Sequence, residues 1–419
     1  MTTARGVARN TFAVLGQHGL SHALRLLSTV LLLAALSRSD YGILTAAVAL
    51  VDPVRTIAAL GLDTAALRRA GREPDRLPEI LGTLLSLRVR LGMAAFAVCV
   101  PLALFRGGPP GNTLAVLAAA LAILPAALTG PLSVAFQARH RIHRIIFLPA
   151  LAGTVHVAVV LALWAADAPV AAFVAAAAAG EAAAALAVRA AVRRELRAPL
   201  RRLPGLARDL LREGFPLAVV NLAVVVYGRL GIWLLEIHGG TGPVADYGAA
   251  RRLSEPIVLA GSALAVSLNP YLSRLCAEGC GAEARRFVAK VLLLCLLVLA
   301  PIAAAAGFAA EPLAAVLRPE YSGAVPAFRW LLAGSAAMFA AQVLSAGLVA
   351  AGRFRLLAAL SFANLTVFVA LAVPLVPVLG AGGAAMATAA MESLNAVIQA
   401  AVFLLAGQSS GGTAAVRSS

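Results

Sequence analysis

Long apolar runs separated by short polar loops recur along the whole chain. A membrane span needs about 20 predominantly apolar residues, and 12 windows meet that length: 11–36, 41–66, 80–105, 113–137, 145–166, 168–188, 214–237, 246–274, 287–309, 325–351, 355–379 and 382–406. The pattern predicts an all-α polytopic membrane protein of about 12 transmembrane helices. Several windows carry polar positions at helical spacing on one face. His18, Ser21, His22, Arg25 and Thr29 line the first window, and Thr45, Asp52, Arg55, Thr56 and Asp63 line the second. Asp52 and Arg55 are three apart, so they can pair along one helix face. Pro53 between them predicts a kink that frees backbone groups.

The second half repeats the first. Asp40-Tyr41-Gly42 returns 206 residues later as Asp246-Tyr247-Gly248, and at the same offset Arg68 matches Arg274. Such an offset marks a duplicated hydrophobic unit. The expected organisation is two six-helix halves, 1–188 and 214–406, joined by a basic linker, 189–213, and followed by a Ser/Gly-rich disordered tail, 407–419. Six is an even number, so the second copy enters from the same side as the first. The halves should then be related by a pseudo-two-fold axis along the membrane normal.

Composition agrees: 61% of residues are hydrophobic and 13% charged, with a mean hydropathy of +0.90, values that exclude an ordinary soluble domain. The net charge of +16 could point to nucleic acid, but the positions of the basic residues decide otherwise. Most of the 35 fall at the termini and in alternate loops or their flanks, whereas Arg38, Arg106, Arg318 and Arg329 fall on the other side. By the positive-inside rule, both termini are cytoplasmic. The linker, arginine-rich with leucines at near-helical steps, reads as an interfacial segment on the cytoplasmic leaflet. The four cysteines imply neither a disulfide framework nor a metal site.

Arg25, Arg55, Arg229, Arg251 and Arg252 lie within spans, as do Asp52, Glu181, Glu236, Glu255 and Glu392. Charges at that depth are costly and mark function. Arg229 and Glu236 share a face, and Arg251 or Arg252 shares one with Glu255. Consecutive residues differ by about 100° on a helix, so Arg251 and Arg252 cannot both face one cavity. There is no phosphate-binding loop, metal spacing or magnesium-binding acidic cluster of an enzyme. Transport by two halves rocking about a midplane cavity is the simpler reading. Arginines facing such a cavity bind an anion, with phosphate the natural guanidinium partner.

The runs Ser37-Arg38-Ser39-Asp40-Tyr41-Gly42, Gly61-Leu62-Asp63, Asp246-Tyr247-Gly248-Ala249-Ala250-Arg251-Arg252-Leu253, Asn269-Pro270-Tyr271-Leu272-Ser273-Arg274 and Gly380-Ala381-Gly382-Gly383-Ala384-Ala385 resemble polysaccharide-biosynthesis flippases. These are the Wzx-like transporters of the multidrug/oligosaccharidyl-lipid/polysaccharide exporter superfamily. The resemblance covers nearly the whole chain. It implies a bacterial inner-membrane flippase, not an enzyme, that moves an undecaprenyl-pyrophosphate-linked oligosaccharide to the outer leaflet for surface polysaccharide such as O-antigen or exopolysaccharide. A cationic cavity would hold the pyrophosphate, with Arg25, Arg55 and Arg251 or Arg252 on the corresponding helices and Arg229 as a further candidate. Membrane lipid and the lipid-linked oligosaccharide would be partners, with room for a polysaccharide polymerase and other surface-glycan machinery. No cofactor is implied; proton or sodium coupling would fall to Glu392, Asp52 or Glu255, with Glu392 first because its own span lacks a neighbouring arginine. A lipid II flippase of peptidoglycan synthesis and a multidrug or small-molecule exporter stay open as alternatives. A glycan polymerase is disfavoured by the absence of a large extracytoplasmic loop.

Overall fold

The computed structural model describes residues 4–106, 109–139, 141–195, 200–278, 280–311 and 319–405. The tail 407–419, Arg318 and the side chains of His18 and Asn269 lie outside the described residues. The long regular elements are helices: α1 Ala4–Ala35, α2 Arg38–Ala59, α3 Leu62–Arg72, α4 Leu77–Phe105, α5 Pro110–Leu121, α6 Ile123–Ala138, α7 Leu148–Ala165, α8 Val170–Glu195, α9 Pro204–Gly239, α10 Thr241–Ala277, α11 Gly281–Phe308, α12 Ala324–Ala350 and α13 Phe354–Leu405. No strand occurs among the described residues.

The protein is an all-α polytopic membrane protein, and the apolar windows fall on these helices. Among the described residues nine helices are long and apolar enough to cross a membrane, and Gly19–Ala35 of α1 is a shorter apolar helix. The remaining windows are α10, which carries Arg251, Arg252 and Glu255, and the second limb of α13, bent at Gly380. None of the residues in the most apolar window of α11 is buried. Leu293, Leu294 and Leu297 are instead more than 60% exposed, a surface that suits hydrocarbon and not water.

Where helices break, local chemistry gives the reason. Ser37 caps α2, its Oγ accepting from Asp40 N at 3.1 Å, which satisfies one orphan N–H of the first turn. The second window is divided because Leu60 and Gly61 both take left-handed conformations, φ 46° and 62°. A Cβ at Gly61 would meet the Gly214 carbonyl oxygen and Leu217 Cβ at 2.8 Å, so this turn needs glycine for both its φ and the close approach of α9. The fourth window is divided at Ala122. Pro125 has no N–H to offer the Leu121 carbonyl, and α5 ends there.

The chain forms two compact units, Met1–Arg229 and Leu230–Ser419, the division falling inside α9. In the first, Leu62, Ile80, Leu84, Phe136, Val188 and Leu210 belong to one buried core. Alanine and glycine let α7 and α8 approach closely: a Cβ at Gly180 would come within 2.5 Å of the Ala152 carbonyl oxygen. Among the described residues the basic stretch 189–213 is mostly helical, as the ends of α8 and α9, and is tied to this unit. Leu203 N donates to Thr83 Oγ1 at 3.0 Å, and Arg69 Nη1 pairs with Asp209 at 3.1 Å and Glu213 at 3.5 Å. Glu195 pairs with Arg144 and Arg141. In the second unit Leu268, Leu272, Val288, Phe339 and Val343 belong to one core, and Tyr271 meets Phe287 edge-on at a ring distance of 4.8 Å.

Candidate functional site

In the first unit, α2 and α9 bring Asp52 and Arg229 together at 2.5 Å, with side chains 21% and 29% exposed. Sequence spacing offers Asp52 to Arg55 and Arg229 to Glu236; the fold gives Asp52 a partner from another span. Thr56 Oγ1 donates to the Asp52 carbonyl at 2.9 Å, beside the buried Pro53. With Asp52 committed elsewhere, Arg55 has no ion pair among the described residues. It lines a cavity of about 380 Å³ walled by α2, α4, α6 and α9. Arg25 is exposed on α1, where its carbonyl accepts from Thr29 Oγ1 at 3.0 Å.

A further buried charge lies on the same cavity. Arg88 is only 7% exposed, with Nη1 donating to the Ala58 carbonyl at 2.9 Å and Nε 3.4 Å from Asp63 Oδ1. Sequence position assigns Arg88 to the basic flank of its span. Helix α4, however, begins at Leu77, which puts Arg88 about three turns inside it. Composition carries no signal for that depth, whereas helix length does.

In the second unit the polar positions form two short chains. Arg251 Nη1 donates to Tyr247 Oη at 3.4 Å, and Tyr247 Oη shares a hydrogen bond with Thr388 Oγ1 at 3.2 Å. Glu392, 7% exposed, accepts from Asn395 Nδ2 at 3.3 Å. Asn395 Oδ1 in turn accepts from Gln399 Nε2 at 3.0 Å, and Ser345 Oγ donates to Gln399 Oε1 at 3.0 Å. Arg251 acts electrostatically on Glu392, so the arginine missing from its own span is supplied by α10. Arg252 and Glu255 are half-buried on α10, and Ser254 Oγ donates to the Arg251 carbonyl at 3.0 Å. Among the described residues no three His, Cys, Asp or Glu side chains cluster as a metal site would require.

This fold has solved counterparts. A multidrug-resistance MATE transporter of the MOP superfamily in an inward-facing conformation is similar over 96% of this chain and 99% of its own, at 14% identity and a TM-score of 0.74. The lipid II flippase MurJ in an inward closed conformation is similar over 94% of this chain and 87% of its own, at 12% identity and a TM-score of 0.76. A MOP-superfamily transporter from Pyrococcus furiosus, described as having a binding pocket of reverse polarity, is similar over 95% of this chain and 94% of its own, at 14% identity and a TM-score of 0.65. At such identities the likeness establishes the fold. No curated protein matches the chain in sequence. The sequence pattern of MatE matches residues 216–378, and that of the polysaccharide biosynthesis proteins matches residues 7–276. The latter spans more than half of the chain, which therefore belongs to the polysaccharide biosynthesis protein family.

Proposed function

We propose that this protein is a flippase that carries an undecaprenyl-pyrophosphate-linked oligosaccharide across the bacterial inner membrane by alternating access, for surface polysaccharide synthesis. The observation that carries this reading is an exposed guanidinium within an apolar span that lines a cavity between helices. Arg55 lines a cavity and has no carboxylate partner among the described residues, although Asp52 lies one turn away. A cation within a span is tolerated where it opens on a cavity, and a phosphate oxygen is the best-matched partner for the guanidinium fork. Arg25, Arg55 and Arg229 in the first unit, with Arg251 and Arg252 in the second, serve the pyrophosphate. The Asp52 ion pair reserves Arg229 as the weakest contributor. The lipid stays in the bilayer while the charged head group and sugars pass.

Coupling falls to Glu392. It is buried, sits on a continuous chain of amide and hydroxyl groups and feels Arg251, so its charge state and that of a bound proton or sodium ion are linked to the substrate-binding arginine. Asp52 is occupied by Arg229 and is the poorer choice; Glu255 stands between the two. Reconstitution of the purified chain into liposomes with fluorescent lipid-linked sugars tests the whole reading. Movement of an oligosaccharide repeat unit on its pyrophosphate lipid is the expected result. Movement of lipid II alone, or of a cationic drug alone, would overturn it.

A further inference from the structure

Helix α2 is held unevenly along its length. Its first turns are tightly packed, with Tyr41, Leu44, Ala46, Ala47, Ala49 and Val51 buried, and so is the start of α3, where Leu62, Ala65 and Ala66 are no more than 1% exposed. Between them, from 54 to 60, Ala58 is buried but Arg55 and Ile57 are exposed and the rest are half-buried. A backbone break bounds this stretch at each end. Pro53 has no N–H to give the Ala49 carbonyl, and Thr56 Oγ1 donates to the Asp52 carbonyl at 2.9 Å, a back-bond that often bends helices. At the other end Leu60 and Gly61 are both left-handed. Charge ties the stretch at the same two places. Asp52 pairs with Arg229 of α9 at 2.5 Å. Arg88 of α4, 7% exposed, spans the second break. Its Nη1 donates at 2.9 Å to the carbonyl of Ala58, one of the last four of α2, which lack a partner within the helix. Its Nε lies 3.4 Å from Asp63 Oδ1 in the first turn of α3. Nε and Oδ1 make no hydrogen bond among the described residues, so charge and not alignment holds that side. Without the guanidinium, the negative end of α2 would face the Asp63 carboxylate across two left-handed residues.

We infer that residues 53–60 are a movable element of α2 and that Arg88 is the pin that sets its position, a positioning residue that acts on transport through Arg55. Arg55 is the charged residue of the element, and a turn about Pro53 or Leu60 re-aims it without disturbing the packed helix on either side. Asp63 and Gly130 keep the pin in place: Asp63 supplies its countercharge, and Gly130 leaves room for that carboxylate, which a Cβ there would strike. A guanidinium suits the role because it carries five N–H donors in a fixed fork. It can stay beside Asp63 while exchanging the Ala58 carbonyl for a neighbouring one. What Arg55 meets is taken from the transport reading, whereas the motion of the element is independent of it.

Amide hydrogen exchange of the purified full chain in detergent tests the element segment by segment, beside liposome transport by the same variants. Arg88→Gln strands Asp63 and can fail to fold, so the pin is removed as R88Q/D63N, which takes out both charges. Arg88→Lys keeps the charge, and Pro53→Ala returns the missing N–H and stiffens the element from its other end. Arg90→Gln, an exposed neighbour on α4, is the control. The expected result is exchange over 54–60 at least tenfold faster in R88Q/D63N, at least threefold slower in Pro53→Ala and unchanged in Arg90→Gln, with 41–51 and 62–72 unchanged throughout. Arg88→Lys should recover most of the unmodified rate, and transport should fall at least tenfold in R88Q/D63N. Faster exchange spread equally over 41–51 and 62–72 would mark an ordinary structural ion pair and overturn the pin. Unchanged exchange over 54–60, or full transport by R88Q/D63N, would overturn it as well. Absence of lipid-linked sugar transport by the unmodified protein, with the exchange pattern as expected, would instead remove the transport reading and leave the pinned element standing.

Discussion

At the scale of single residues, the charges inside the apolar helices are legible as a set and not as pairs. Which residues are charged follows from the sequence. Which carboxylate meets which arginine depends on helix packing, and local spacing misassigns Asp52, whose partner Arg229 comes from α9. The same limit hid Arg88, because a basic residue near a span's end looks like a topological anchor. The Asp52 to Arg229 pair is partly exposed, so breaking it costs less than in a dry core. Asp52→Asn and Arg229→Gln should each lower stability by about 1–3 kcal/mol, the range for leaving a buried polar group short of its partner. The double variant should recover part of the loss, as a thermal-denaturation cycle in detergent would record; additive losses would show that the pair contributes nothing. Glu392 calls for a different measurement. Glu392→Gln should keep normal membrane abundance, since an amide can retain the Asn395 contact, but should abolish the dependence of transport on a proton or sodium gradient. Unchanged gradient dependence would remove Glu392 from coupling.

At the scale of elements, hydrophobic periodicity located the helices because each apolar window must pack in lipid, and it missed the breaks inside them because those depend on backbone geometry. The second window is continuous in hydropathy across Leu60 and Gly61, yet both residues are left-handed there. Conversely, the gap between the last two windows, 380–381, is reduced to one non-helical residue, Gly380, with φ 53° and ψ −131°. The basic linker is helix at both ends for the same reason: leucines at helical steps pack Leu206 and Leu210 into the core of the first unit. Two glycines make this testable. Gly61→Ala should cost about 1–3 kcal/mol, the typical penalty of overpacking, with strain from its positive φ added to the contact with Gly214. Gly19→Ala, in α1 with nothing within 4 Å, should instead gain about 0.5–1 kcal/mol from helix propensity. Thermal midpoints in detergent that move together for the two variants would contradict this division.

At the scale of the whole molecule, the distribution of arginines predicts how the helices enter the bilayer. Arg193 and Arg194 close α8, Arg201 and Arg202 follow it, and Arg208 and Arg212 lie in the first turns of α9, whereas residues 166–169, between α7 and α8, contain no arginine or lysine. Placing one arginine at the bilayer centre costs about 2.5–3.5 kcal/mol, so translocating the arginine-rich segment is the disfavoured alternative. The negative cytoplasmic leaflet favours the same arrangement, at about 1 kcal/mol per basic residue near the surface. The ion pairs of Glu195 with Arg141 and Arg144 place the preceding basic turn beside this segment, so one face of the first unit gathers the positive charge. Single cysteines at Ala166 and Leu200, introduced after Cys99, Cys276, Cys280 and Cys295 are replaced by Ser, read the orientation directly, since both positions are exposed. In cells with a permeabilised outer layer and an intact inner membrane, an impermeant maleimide should label Ala166→Cys and spare Leu200→Cys until the membrane is opened. The reverse pattern would place the basic segment outside and with it the termini. Labelling of both in intact cells would mean that the stretch between α8 and α9 does not stay on one side of the bilayer.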